Sequence, residues 1–81
     1  MKTVRYTASA ARDLKRYAVV AQRVRAALAE YAQNRAHSNN VTQLVGSQFH
    51  RLRVGDFRAI FDETATEITV LKIGPRGNVY E

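Results

Sequence analysis

The sequence predicts an α+β domain in which two helices pack on one face of a small, mainly antiparallel sheet. One strand-like segment and a long segment of helical period fill the first part of the chain, and three strand-like segments with very short connections follow. Connections this short join antiparallel neighbours, because a parallel pair needs a crossover of about a dozen residues or more. With 81 residues, we expect a single domain spanning residues 1–81.

The composition is basic, with 13 Lys and Arg against 7 Asp and Glu and a formal net charge of +6. Most of the basic residues are arginine, which binds phosphate bidentately, so nucleic acid is the leading partner class. The alternative is a charge that only keeps the protein soluble. There is no cysteine, and His37 and His50 are isolated from carboxylates in the sequence, so we expect no metal site and no cofactor.

The hydropathy pattern gives no indication of a membrane protein. No stretch approaches the roughly 18 apolar residues of a transmembrane helix, and the opening residues lack the apolar run of a signal peptide. We therefore expect a cytoplasmic protein with no membrane contact.

The segment "KTVRY" alternates in the manner of a strand, and a helical pattern then runs from Ala8 to about Gln33. Thr7 or Ser9 is suited to cap this helix, and we expect Asp13 to interact with the positive end of its dipole. A change of phase around Tyr17–Ala21 predicts a break into two antiparallel helices. The exposed side would be basic, carrying Arg12, Lys15, Arg16, Arg23 and Arg25.

Beyond the helices, "QNRAHSNN" is a predicted loop, and strands are expected at about 49–54, 57–63 and 67–73. Gly55-Asp56 is suited to a two-residue type II′ hairpin turn, which would place Arg53 opposite Arg58 and Arg51 opposite Ile60. Side chains alternate between the two faces of a sheet, so these residues would share an open face away from the helices. Like charges placed opposite each other are unfavourable, which suggests an anion-binding role. The alternative is that long arginine stems merely cover the sheet.

The last segment, "GPRGNVYE", begins with a turn at Gly74-Pro75, which would deliver Arg76 to the end of a strand. Val79-Tyr80 is able to add a final short strand. Taken alone, Arg76 is an ordinary turn residue and Tyr80 an ordinary packing residue near a terminus.

Together, "RLRVGDFRAIF", "ITVLKIGPR" and "NVY", after a strand and a helix pair opening with "YTASAARDLKR", resemble the RelE/ParE superfamily of type II toxin–antitoxin toxins. The resemblance spans nearly the whole chain. It implies a small antiparallel sheet with two N-terminal helices, and neutralisation by an antitoxin that wraps the toxin in a hetero-oligomer. It also implies one of two activities, because RelE-type members cut mRNA in the ribosomal A site without a metal whereas ParE-type members poison DNA gyrase.

By this resemblance, Arg58, Arg76 and Tyr80 are the expected catalytic residues of a ribosome-dependent endoribonuclease, and Arg51 and Arg53 the expected RNA-binding residues. Attack of a 2′-OH on the adjacent phosphate also needs a base and an acid. His50 and Glu81 are candidates, although strand parity places His50 on the helix face unless a bulge intervenes. The alternatives are a gyrase inhibitor and a catalytically weak RNA-binding relative that only pairs with its antitoxin.

Overall fold

A computed structural model describes residues 2–33, 41–43 and 49–75. In chain order the elements are β1 (Thr3–Tyr6), α1 (Ala8–Arg16), α2 (Ala18–Gln33), β2 (Val41–Gln43), β3 (Phe49–Val54), β4 (Phe57–Glu63) and β5 (Glu67–Pro75). The predicted helix break is confirmed and falls at Tyr17. The bounds of β3 and β4 match the prediction, β5 runs on to Pro75, and β2 was not predicted.

The five strands form one open sheet in the order β1-β5-β4-β3-β2. The three pairings among β2, β3, β4 and β5 are antiparallel, and β1 pairs with β5 in parallel. The predicted fold class, two helices on one face of a mainly antiparallel sheet, is therefore confirmed. The parallel pair is possible because the long connection from β1 includes both helices.

The two helices run in opposite directions across the sheet, as predicted: α1 follows β5, with Thr7 at Leu71 and Asp13 at Ile73, and α2 follows the antiparallel strand β4. The ring of Tyr17, between the helices, lies 5.1 Å from that of Phe57 at the start of β4. The ring of Tyr31, near the end of α2, lies 5.5 Å from that of Phe61 further along the same strand. The helices and the facing strand residues form one apolar core, with Ala10, Leu14, Val24, Leu28, Leu52, Ala59, Phe61, Ile68, Val70 and Ile73 among its buried members.

Strand β5 contains a bulge that changes which face its residues occupy. Ile60 pairs with Lys72 and the next residue, Phe61, pairs with Val70, so Leu71 is an extra residue between the two pairs. A bulge of this kind shifts the alternation of side chains by one position. In β5, the even-numbered residues before the bulge therefore lie on the same face as the odd-numbered residues after it.

Helix α1 provides partners for backbone groups of β5 at and beyond this bulge. Thr7 caps the helix, since its Oγ1 accepts a hydrogen bond from the Ala10 N–H at 3.1 Å, and the same hydroxyl lies 3.2 Å from the Leu71 carbonyl oxygen. Asp13 accepts a hydrogen bond from the Ile73 N–H at 2.9 Å. The expectation that Asp13 serves the helix dipole is wrong, because α1 begins at Ala8 and Asp13 lies in its second turn.

At the opposite end of the sheet, Glu63 forms a buried polar cluster with two residues from other elements. Its side chain is 6% exposed and accepts hydrogen bonds from Lys2 Nζ and Tyr31 Oη, both at 2.7 Å. A buried carboxylate is tolerated when it is paired and hydrogen-bonded. The cluster ties the start of the chain and the end of α2 to β4.

None of the helices in the described ranges is long and apolar enough to span a membrane.

Replacing Asp13 by Ala should lower the free energy of unfolding by about 1–3 kcal/mol, because the part-buried Ile73 N–H loses its acceptor. Urea denaturation at neutral pH measures this change. Arg12→Ala, at an exposed neighbouring position on the same helix, should be within about 0.5 kcal/mol of wild type. Equal losses in the two variants would contradict a stabilising role for the Asp13 contact.

Tyr31→Phe should cost about 1.5–3 kcal/mol, since it removes a hydrogen bond to a buried carboxylate while keeping the ring. Tyr17→Phe is the matched control, because the Tyr17 hydroxyl makes no hydrogen bond to any residue in the described ranges. Thermal and urea unfolding of both variants test the difference. A Tyr31→Phe protein as stable as Tyr17→Phe would show that the Glu63 cluster contributes nothing measurable.

Candidate functional site

The candidate site is organised by the turn between β3 and β4. Gly55 has a φ of 59°, and no non-glycine residue in the described ranges has a positive φ. A positive φ at the first central residue followed by a negative φ at Asp56 is the pattern of a type II′ turn. The predicted turn type is therefore confirmed, and its twist matches that of the flanking strands.

The predicted register is confirmed pair by pair: Val54 pairs with Phe57, Arg53 with Arg58, and Arg51 with Ile60. Since side chains alternate across a strand, these three arginines lie on the side of the sheet away from the helices. We call this side the arginine face. Near the turn it carries Arg51, Arg53, Arg58, Ile60 and Lys72.

The arginine face is less open than the sequence predicted. Arg53 is exposed, but Arg58 retains only 9% of its accessible surface and Ile60 only 8%. The Arg58 side chain folds toward the turn, where its Nη1 lies 3.3 Å from the Phe57 carbonyl oxygen and 3.5 Å from that of Gly55. The expectation of an open face is therefore correct at Arg53 and wrong at Arg58 and Ile60. The Arg58 guanidinium is held in place rather than free in solvent.

Lys72 is a basic residue of this face that sequence reasoning missed. Continuous alternation along β5 would place it on the helix face with Ile68 and Val70. The bulge at Leu71 instead pairs it with Ile60, and it is exposed. No local signal in "EITVLKI" marks the bulge, because the register shift depends on pairing with β4.

His50, the candidate acid or base, lies on the opposite side of the sheet from the arginines. Its ring stacks on that of Phe61, with centroids 5.3 Å apart and 14° between the planes, and its Nε2 lies 4.0 Å from Glu63 Oε1. The bulge that occurs is in β5 and does not alter parity in β3. A phosphate held by Arg58 is therefore separated from His50 by the sheet.

The remaining predicted site residues, Arg76, Tyr80 and Glu81, lie outside the described residues, as does His37. Their roles stay predictions from the resemblance. Within the described ranges, no three His, Cys, Asp or Glu side chains come together in the way that a metal site requires.

The described part of the arginine face supplies positive charge but no acid–base pair near Arg58. Guanidinium and ammonium groups are suited to bind a phosphate and to stabilise negative charge that develops on it. Asp62 shares this face, but it lies four residues along β4 from Arg58, or about 13 Å at the usual rise of a strand. Its carboxylate is thus too far away to act on a phosphate at Arg58.

Comparisons with known proteins identify the fold and the family. Residues 4–80 match the sequence model of a protein family, which is described as "ParE toxin of type II toxin-antitoxin system, parDE". No curated protein sequence matches the chain. Two similar solved structures are the toxin-antitoxin complex RelBE2 from Mycobacterium tuberculosis and the RelB-RelE antitoxin-toxin complex from Methanococcus jannaschii.

The first structure has 22% sequence identity and a TM-score of 0.72, and the match covers 93% of this chain and 98% of the other. The second has 19% identity and a TM-score of 0.70, and the match covers 89% of each chain. At these identities the structures support the fold, and the family model spans almost the whole sequence. The chain therefore belongs to the ParE toxin family of type II toxin–antitoxin systems, within the RelE/ParE superfamily.

Proposed function

We propose that this toxin is a ribosome-dependent, metal-independent endoribonuclease that cleaves mRNA in the A site and so inhibits translation. The observation that carries the proposal is the presence of four basic residues on one face of the sheet: Arg51, Arg53, Arg58 and Lys72. Basic side chains gathered on one face raise the local positive potential. Such a surface is suited to bind an RNA phosphate.

The buried and exposed cations have different parts in this proposal. Exposed Arg53 and Lys72 attract the RNA strand, while Arg58, already held against the turn carbonyls, loses little side-chain entropy when it meets a phosphate. Preorganised positive charge is most effective where negative charge develops in the transition state. Arg58 therefore stabilises the phosphorane, and Arg76 is proposed to join it.

Proton transfer is assigned to residues outside the described ranges or to the ribosomal complex. The 2′-OH needs a base and the leaving 5′-oxygen needs an acid, and His50 and Asp62 are both too remote from Arg58. Tyr80 is the proposed participant, with Glu81 as the candidate base. Complex formation on the ribosome would complete the acid–base set.

An antitoxin is the proposed protein partner. The two similar structures are complexes of a toxin with an antitoxin, and the family is that of toxin–antitoxin toxins. We propose that a cognate antitoxin wraps this protein in the cytoplasm and forms a hetero-oligomer with it. Its basic surface, with a net charge of +6, favours an acidic partner segment.

Replacing Arg58 by Ala should reduce mRNA cleavage in programmed ribosomes by about 100-fold or more, because phosphorane stabilisation is lost. Primer extension on a defined mRNA measures the cuts. Arg5→Ala is the control. Arg5 is an exposed arginine of β1 on the same side of the sheet, and its guanidinium lies 3.3 Å from the carboxylate of Glu67. This control should cleave at nearly the wild-type rate.

Because Arg58 is buried, its variants are also checked for folding by thermal unfolding. Arg58→Lys keeps a positive charge but loses the planar guanidinium group, which binds phosphate through two donors, and it should retain partial activity. Arg53→Ala, at an exposed position, should fold normally and cleave more slowly. A folded Arg58→Ala protein that cuts at the wild-type rate would refute the proposed role, and intact mRNA with wild-type protein would refute the nuclease proposal.

Inhibition of DNA gyrase is the second candidate function. It is favoured by the match to the ParE family model and by the distance of both His50 and Asp62 from Arg58. A gyrase supercoiling assay with wild-type protein distinguishes the two. Inhibition of supercoiling together with intact mRNA would establish this second function in place of the first, whereas cleavage without inhibition would exclude it.

A further inference from the structure

A second arginine reaches the hairpin turn from the helix side of the molecule. The Nη2 atom of Arg23, on α2, lies 3.3 Å from the position that a Cβ atom would occupy on Gly55. Arg58 approaches the same residue from the arginine face, with its Nη1 3.5 Å from the Gly55 carbonyl oxygen. Two guanidinium groups therefore meet at one turn residue from opposite sides of the sheet.

The charge of Arg23 is not neutralised by any described residue. Arg23 is exposed and makes no hydrogen bond or ion pair within the described ranges. This holds even though Asp56 belongs to the turn that the Arg23 side chain approaches. Two other exposed arginines do have partners. Arg5 pairs with Glu67, and the guanidinium of Arg25 lies 5.3 Å from the centre of the Tyr6 ring.

Gly55 provides the space that this arrangement needs. Its φ of 59° is a conformation that L residues rarely adopt, and a side chain there would also crowd Arg23. The basic surface continues past the turn, because Arg16 lies over the ring of Tyr17 at 5.5 Å and Tyr17 packs on Phe57. A basic path thus leads from the arginine face, round the turn, to the junction of the two helices.

We propose that Arg23 is a phosphate-binding residue that extends the RNA site from the arginine face across the hairpin turn. A single strand of RNA crosses the turn, with one phosphate at Arg53 and Arg58 and a neighbouring phosphate at Arg23. The proposal rests on the RNA-binding part of the proposed function. Contact between these phosphates and the guanidinium groups releases condensed counterions from the strand.

The test measures binding of a fluorescein-labelled, single-stranded 2′-O-methyl RNA by anisotropy between about 50 and 200 mM salt. This probe lacks the 2′-OH nucleophile, so binding is separated from cleavage. Arg23→Ala should weaken binding about 5- to 10-fold and reduce the magnitude of the slope of log K against log salt by about 0.7, the value for one phosphate contact to a single strand. Arg23→Lys should restore the slope.

Arg25→Ala is the control, because it removes the same charge from an exposed position two residues further along α2. It should leave the slope unchanged and alter the affinity less than about twofold. Thermal unfolding of all variants excludes a general loss of fold.

Equal effects of Arg23→Ala and Arg25→Ala would overturn the proposal, as would wild-type protein that does not bind the probe. These outcomes are distinct from failure of the nuclease proposal. The expected reduction of the salt slope in Arg23→Ala but not in Arg25→Ala, together with no cleavage by wild-type protein in programmed ribosomes, would support the Arg23 site and reject the nuclease activity.

Discussion

The bulge at Leu71 is the constraint on which both faces of the sheet depend. It allows Val70 and Ile73, three positions apart, to face the helices, and it sends Lys72 to the opposite side. A shift of one residue would exchange these environments. Lys72 would then enter the core without a partner at a cost of several kcal/mol, and Ile73 would lose its packing. The core and the basic surface are thus two consequences of one irregularity.

Helix α1 stabilises this irregularity by satisfying the backbone groups near it. Strand β1 pairs with β5 only as far as Val70, so among the described residues the following part of β5 has no neighbouring strand on that side. Thr7 and Asp13 provide partners for the Leu71 carbonyl oxygen and the Ile73 N–H in its place. Since unpaired backbone groups at a partly buried edge are costly, the helix and the bulge stabilise each other. This connection links the helix layer to the surface that carries Lys72.

Charged side chains occupy two different environments at the two ends of the β3–β4 hairpin. At the far end, on the helix side, Glu63 is buried with Lys2 and Tyr31, and this contact joins distant parts of the chain. At the turn end, Arg53 and Arg23 are exposed and bring like charge together. The first arrangement stabilises the fold, and the second raises the local positive potential.

The sequence by itself determined the hairpin at Gly55, its register and hence the face on which Arg51, Arg53 and Arg58 lie. These features follow from local turn geometry and from the two-residue period of strands. Only the tertiary structure decided the parallel pairing of β1, the bulge that moves Lys72, the burial of Arg58 and the approach of Arg23 to the turn. Each of these depends on contacts between segments far apart in the chain, which no local pattern encodes.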